Sequence, residues 1–159
     1  MTSFVEQGPI EKRLHDLGIT LPDAPAPAAN YVPYVVDGKT VYVSGQISAG
    51  PDGLITGKLG ADKTVQEGAD AARACAISLL AQLKAACGGD IDRLDRVIKL
   101  VGFVNSTPDF TDQPKVINGA SDFLVNLLGA QGHHARSAVS AASLPLGVAV
   151  EIEAIFTIK

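Results

Sequence analysis

The spacing of apolar residues predicts two long helices with a strand between them. After Thr64-Val65-Gln66-Glu67, whose order is that of a capping box, alanine, leucine and cysteine recur on one broad stripe until Gly88-Gly89. A second segment with helical spacing covers roughly residues 112–128 and ends at Gly129. Residues 97–104 are too rich in β-branched side chains for an exposed helix and too few for a buried one, so they predict a central strand.

Hairpin and alternation signals predict the other strands. Asp37-Gly38 separates two β-forming runs, which indicates a tight hairpin. Further strands are expected at about residues 135–142 and 148–158, with a short one near residues 54–56. Two long helices with this many strands predict an α+β fold in which both helices pack on one face of a sheet.

Alternation divides the last strand into two unlike faces. One face is wholly apolar and is expected to pack against the helices: Val148, Val150, Ile152, Ala154, Phe156 and Ile158. The other face is mixed: Ala149, Glu151, Glu153, Ile155 and Thr157. An open sheet with helices on one side leaves such a face in need of a cover. Because no third layer is encoded, we expect a homo-oligomer, with Glu151 or Glu153 near a cleft between subunits.

Composition and charge narrow the class of protein. The 159 residues suit one domain, 47% of them are hydrophobic, and the formal net charge is −4. This acidic total argues against a nucleic-acid partner. Apolar runs fall short of the roughly 18 to 20 residues of a membrane helix, and residues 1–7 lack the pattern of a signal peptide. We therefore expect a cytoplasmic protein without a membrane partner.

Both cysteines, Cys75 and Cys87, fall in the first long helix. Their spacing corresponds to about 18 Å of axial rise, whereas a disulfide needs Cα atoms within about 7 Å. Buried, reduced thiols are therefore expected, which suits a cytoplasmic protein.

The first 29 residues differ in character from the rest of the chain. Residues 9–17 predict a short amphipathic helix that begins with Pro9 and stops at Gly18. A Pro/Ala-rich segment, residues 21–27, follows and predicts an extended arm. We accordingly divide the chain into an N-terminal extension, residues 1–29, and a single domain, residues 30–159.

Arg136 is the strongest candidate for a functional residue, because it lies in an otherwise apolar segment that is predicted to be a strand. Its planar fork can hold a carboxylate through two hydrogen bonds, which lysine cannot match. Glu151 or Glu153 could activate a water if burial tunes its pKa. The alternative is a structural ion pair between Arg136 and one of these acids at a subunit contact. Spacing alone favours the ion pair and does not choose between the two acids.

The other polar motifs give weaker indications of a functional site. His133-His134 lacks a third ligand at metal-site spacing, so we predict no metal site. The serines lack the signature of an activated nucleophile. Gly45, Gly50 and Gly53 match no phosphate-binding loop and are interpreted as turn glycines.

Several pieces of the chain together resemble the YjgF/YER057c/UK114 family, the Rid proteins. They are Tyr31 to Gln46 with Ser44-Gly45-Gln46, Ala135-Arg136-Ser137, Leu144-Pro145 and Glu151-Ile152-Glu153-Ala154. The resemblance covers about residues 30–159. It implies a chorismate-mutase-like α+β fold with a mixed sheet, assembled as a homotrimer with a barrel-like core and three clefts between subunits.

The resemblance also implies an activity and a partner. Family members hydrolyse enamine and imine intermediates such as 2-aminoacrylate to 2-keto acids and ammonia, without a metal or organic cofactor. The implied partners are a small carboxylate-bearing imine, enamine or keto acid and other copies of the chain. Whether this chain is an enzyme is left open. A non-catalytic trimer that binds small carboxylates is the main alternative, and an endoribonuclease is the second.

Site roles are implied for five positions. Arg136 matches the arginine that binds the substrate carboxylate, and Glu151 matches the acid that positions the attacking water. Tyr31 matches a tyrosine that lines the cleft from the neighbouring subunit. Ser44 falls at a pocket serine, and the backbone of Ala138 falls where an amide faces the substrate.

The chain departs from the family pattern at two positions. Ala138 replaces a common cysteine, although a role of the main chain would survive that change. Pro108 replaces an asparagine in the loop before the second long helix.

Overall fold

A computed structural model describes residues 7–24 and 30–159. Residues 1–6 and 25–29, which include the second part of the predicted arm, lie outside the described residues. The helices are α1 Pro9–Asp16, α2 Val65–Ala86 and α3 Gln113–Leu128. The strands are β1 Tyr34–Asp37, β2 Thr40–Ile47, β3 Ala49–Gly50, β4 Gly53–Leu54, β5 Leu94–Asn105, β6 Ala135–Ala141 and β7 Val150–Ile158.

Five strands form one mixed sheet in the order β1-β2-β7-β5-β6. The β5–β6 pair is parallel and the other pairs are antiparallel. Helices α2 and α3 pack against each other and against one face of this sheet. The predicted α+β architecture, with two long helices on one face of a mixed sheet, is therefore confirmed.

Helix α2 begins where its sequence predicts. The Thr64 side chain accepts from the Glu67 backbone N–H at 3.1 Å, and the Glu67 carboxylate accepts from the Thr64 N–H at 3.0 Å. This capping box satisfies two donors that a helix otherwise leaves unpaired. Gly119 lies against the backbone of Ala69, so α3 approaches α2 more closely than any side chain there would allow.

The last strand has the two faces that alternation predicts. Val150, Ile152, Ala154, Phe156 and Ile158 are all buried against the helices, whereas the residues between them are partly or fully exposed. The strand begins at Val150 rather than at residue 148. Ala149 was expected on the mixed face, but it precedes the strand and is completely buried.

Two further expectations need correction. Gly45 is not a turn glycine, because it lies within β2 at an irregularity in the pairing with β7, between Val43 and Gln46. The predicted strand 97–104 extends to Leu94–Asn105. Periodicity marks the buried middle of a strand better than its ends.

Helix α1 packs onto the body of the protein. Leu14 is buried in the same apolar core as the two long helices. The Asp92 carboxylate accepts from the Ile10 backbone N–H at 2.7 Å, and Arg13 donates to the side-chain and backbone oxygens of Asn126. This short helix is thus held by both apolar and polar contacts.

Cys75 and Cys87 are both buried and unbridged, as predicted. Burial raises the pKa of the Cys75 thiol, and the nearby Glu151 charge raises it further. Within residues 7–24 and 30–159, no helix combines the length and the apolar character needed to cross a membrane.

Candidate functional site

Strand β6 directs Arg136 towards the helices. Arg136 is aligned with Leu100 of β5, which is aligned with Ala154 of β7, and both of these are buried on the helix side. One guanidinium nitrogen of Arg136 donates to Ser121 Oγ at 3.1 Å, and another donates to the Pro114 carbonyl at 3.2 Å. Two of its five N–H groups are thus engaged by α3, which leaves three for a ligand.

The backbone of Ala138 faces away from the sheet. The Ala141 carbonyl accepts from the Ser106 N–H, so the odd-numbered residues of β6 turn their backbone groups towards the β5 side. The twofold period of a strand then places the N–H of Ala138 at the outer edge, which is the last position of the sheet order. Arg136 and this amide lie two residues apart on one strand, a pair suited to an anion.

Glu151 lies on the opposite face of the sheet. It is aligned with Phe103 of β5 and Ile47 of β2. Its neighbours along β7, Val150 and Ile152, are buried on the helix side, so Glu151 points to the other side. Its carboxylate lies against Gly45, where a Cβ would come 2.9 Å from Glu151 Cδ. Burial raises the pKa of Glu151, and the charge of Glu153 on the same face raises it further.

Ser44 and Tyr31 lie near the β1 end of the sheet. Ser44 Oγ donates to the Pro33 carbonyl at 3.0 Å, which ties β2 to the segment before β1. Tyr31, two residues before Pro33, is 51% exposed. Ser44 also precedes Gly45, so it belongs to the same part of the sheet as Glu151.

The five predicted site residues therefore form two groups. Tyr31, Ser44 and Glu151 lie on the β1-β2-β7 side, whereas Arg136 and Ala138 lie on the edge strand β6. Two strand spacings and three residues along the sheet separate the Cα atoms of Arg136 and Glu151 by roughly 14 Å. A single chain does not bring the two groups together.

The face that carries Glu151 is apolar over much of its area. Val35, Tyr42 and Val139 are 52%, 47% and 44% exposed. A cavity of about 260 Å³ lies among these strands, lined in part by Lys99 and Glu153. A face of this kind is an expected site of contact with another protein surface.

Two residues around Arg136 were missed by the sequence interpretation. Ser121 Oγ lies 2.9 Å from His134 Nε2, and His134 Nδ1 lies 2.6 Å from the Gly132 carbonyl. His134 was considered only as a metal ligand. It directly precedes the predicted strand, and its spacing of two residues from Arg136 was the available signal, since an extended chain turns alternate side chains to the same side.

The loop after β5 contains Pro108 and is closed by Gln113. The Gln113 side-chain amide donates to the Phe110 carbonyl at 2.7 Å and to Ser106 Oγ at 3.3 Å, and Ser106 Oγ lies 2.6 Å from Ser140 Oγ. This polar cluster borders β6 on the same face as Arg136. Across residues 7–24 and 30–159, no three His, Cys, Asp or Glu side chains are grouped to hold a metal ion.

The fold and these positions define a small α+β protein of the chorismate-mutase-like type. The profile described as "YjgF/chorismate mutase-like, putative endoribonuclease" matches residues 11–156. The chain belongs to this family, which confirms the resemblance found in the sequence.

Individual proteins are similar to this chain over most of their length. Protein TCP17 of Trypanosoma cruzi is 51% identical over 155 residues, which is 96% of each chain. The crystal structure of Atu1372 from Agrobacterium tumefaciens, a protein of unknown function, is 49% identical with a TM-score of 0.87, over 94% of this chain and 92% of that one. E. coli TdcF with bound serine is 30% identical with a TM-score of 0.59, over 86% of this chain and 94% of that one.

Proposed function

We propose that this protein hydrolyses reactive 2-imino acids of the 2-aminoacrylate type to 2-keto acids and ammonia. The reaction takes place in clefts between the subunits of a homotrimer. The observation that carries the proposal is the pairing of Arg136 with the outward N–H of Ala138 on edge strand β6. A guanidinium and a backbone amide side by side bind a small carboxylate well.

The separation of the two residue groups supports the proposed assembly. Arg136 and Ala138 occupy an edge strand, and Glu151 with Ser44 occupies the uncovered face near β2. A cleft that uses both groups needs the β6 edge of one subunit to meet the Glu151 side of the next. A head-to-tail contact of this kind gives a closed ring when its rotation closes, and the proposed trimer is such a ring of three copies.

In the proposed reaction, Arg136 and the Ala138 amide hold the carboxylate of the substrate. Glu151 of the adjacent subunit accepts a hydrogen bond from a water and directs its oxygen at the C=N carbon. The C–O bond forms as the C=N double bond becomes single, and one proton of the water passes by way of Glu151 to the nitrogen. The C–N bond then breaks as the new hydroxyl group gives its proton to the nitrogen and becomes a C=O group, which leaves a 2-keto acid and releases ammonia. Orientation of the two reactants supplies the rate gain.

The proposal is tested by generating imino acids in situ with an amino-acid oxidase and following their decay. We expect the wild-type chain to accelerate decay and Arg136→Ala to abolish the acceleration. Arg93→Ala is the matched control, since Arg93 is exposed and donates to the Lys159 carbonyl. Full activity in Arg136→Ala, or no acceleration with any substrate, would contradict the proposal.

A binding-only protein gives a different result. Tight binding of 2-oxobutyrate in calorimetry, without any turnover of imino acids, would favour a carboxylate-binding trimer. Ribonuclease activity is tested on the same preparations, and RNA cleavage that disappears in Arg136→Ala would favour that activity instead. The net charge of −4 weighs against it. Light scattering that gives three times 16.4 kDa supports the trimer.

A further inference from the structure

Three side chains form a continuous hydrogen-bonded chain beside β6. Arg136 donates to Ser121 Oγ at 3.1 Å, Ser121 Oγ lies 2.9 Å from His134 Nε2, and His134 Nδ1 lies 2.6 Å from the Gly132 carbonyl. Ser121 comes from the middle of α3, whereas His134 and Arg136 come from β6 and the residues just before it. The contacts thus link a helix to an edge strand.

The chemistry of the groups fixes the direction of each bond. A carbonyl can only accept, so His134 Nδ1 carries the proton that goes to Gly132. Burial lowers the pKa of His134, which favours the neutral imidazole. Nε2 is then an acceptor, and the Ser121 hydroxyl donates to it. A hydroxyl that donates its proton keeps lone pairs for a donor on its other side, which is Arg136. The donor and acceptor roles of the hydrogen-bonded groups are therefore mutually compatible.

We propose that Ser121 and His134 are positioning residues that hold the Arg136 guanidinium in one orientation for its carboxylate ligand. The ligand in this statement rests on the proposed function, whereas the orientation rests on the hydrogen bonds themselves. His134 acts through Ser121, and neither residue is required to touch the ligand.

The physical benefit is preorganisation. A free arginine side chain has many rotamers, and much of this freedom is lost when a ligand fixes it. Here Ser121 and the Pro114 carbonyl hold two sides of the guanidinium before any ligand arrives. The conformational entropy of the Arg136 side chain is therefore lost when the protein folds. Because binding then loses less entropy, the affinity for the ligand is higher.

The Ser121–His134 distance also fits a nucleophile next to its base. We favour positioning, because Ser121 Oγ already accepts from Arg136 and lies in the middle of a helix. The two roles differ in what they do to turnover and affinity, so the experiment separates them.

The test compares Ser121→Ala, Ser121→Thr and the double variant Ser121→Ala/His134→Ala with wild type. Thr keeps the hydroxyl group. His133→Ala is the matched control, because His133 is exposed and accepts from Arg96 only through its backbone carbonyl. Three quantities are measured: the 15N order parameter of the Arg136 Nε–H group without ligand, the affinity for 2-oxobutyrate by calorimetry, and kcat for the hydrolysis of imino acids generated in situ.

We expect the order parameter of the Arg136 Nε–H group to fall in Ser121→Ala to a value typical of a flexible group, below about 0.6. Affinity should fall about tenfold, because the ligand must then order the Arg136 side chain itself on binding. Ser121→Thr should restore both values, and His133→Ala should change neither. The double variant should be no weaker than Ser121→Ala, since both residues act through one chain of bonds.

Two results would overturn the inference. One is an unchanged Arg136 order parameter in Ser121→Ala, whatever the affinity. The other is a loss of kcat above 100-fold at unchanged affinity, which would make Ser121 a reacting group. If the order parameter falls as expected but the wild type binds no 2-keto acid, the positioning role stands and the proposed function fails.

Discussion

The side chains of Arg136 and Glu151 lie on opposite faces of the same five-stranded sheet. Arg136 shares the helix side with Leu100 and Ala154, whereas Glu151 is aligned with Phe103 on the uncovered side. A ligand that Arg136 grips cannot reach Glu151 of the same chain around the intervening strands. If both residues serve one reaction, they come from different subunits.

This arrangement predicts complementation between two inactive variants. Arg136→Ala and Glu151→Gln should each be inactive alone. When equal amounts are unfolded and refolded together, each cleft takes its arginine and its glutamate from different subunits, so about one quarter of the clefts contain both. We expect about a quarter of wild-type imine-hydrolysis activity in the mixture.

The control for this experiment is the double variant Arg136→Ala/Glu151→Gln mixed with each single variant, which should regain nothing. An inactive mixture of the two single variants, at a mass that confirms co-assembly, would show that one chain supplies both residues.

A second prediction concerns pH. Burial and the Glu153 charge raise the pKa of Glu151. As the pH is lowered, Glu151 therefore becomes protonated at a higher pH than an exposed glutamate would. The carboxylate form is the one that orients water, so kcat/KM should rise with pH through this pKa. Glu153→Gln removes the second cause, and the acid limb of the profile should move to lower pH.

Glu11→Gln is the matched control, since Glu11 lies on α1 near Lys84. It should leave the profile unchanged. An acid limb that stays in place in Glu153→Gln would mean that a group other than Glu151 is titrating.

The long elements could be predicted from the sequence because their signals are local. The capping box at Thr64 predicts the start of α2, and the glycine at position 129 predicts the end of α3. Alternation in β7 separated the buried face from the mixed one. In each case the relevant residues are neighbours along the chain.

The relation between Arg136 and Glu151 could not be predicted in the same way. Periodicity assigns faces within one strand, but the faces of two strands are related only through their register and order. Here β5 lies between β6 and β7, and one pair is parallel while the other is antiparallel. The contact of His134 with Ser121 likewise depends on which face of α3 meets β6.

A third prediction uses the close approach of Gly45 to Glu151. A methyl group at position 45 would come 2.9 Å from Glu151 Cδ, so the carboxylate must move. We expect Gly45→Ala to reduce kcat by about 10-fold to 100-fold, because a misplaced catalytic group loses its orientation. Affinity for 2-oxobutyrate should change little, since Arg136 is untouched.

Gly50→Ala is the control, because the nearest atom to a Cβ there is 4.0 Å away. Wild-type kcat in Gly45→Ala would mean that the position of Glu151 is unimportant for turnover.

The last prediction concerns the attachment of α1. Its N-cap residue is Gly8, which offers no side chain, and the Asp92 carboxylate accepts from Ile10 N–H instead. Loss of a helix cap costs about 1 kcal/mol, so Asp92→Ala should lower the free energy of unfolding by about that amount in urea titrations. Leu14→Ala, which empties a buried site, should cost about 2 to 5 kcal/mol. Asp92→Asn keeps an oxygen acceptor and should lose less than Asp92→Ala. Equal stability of Asp92→Ala and wild type would show that α1 is held by its apolar contacts alone.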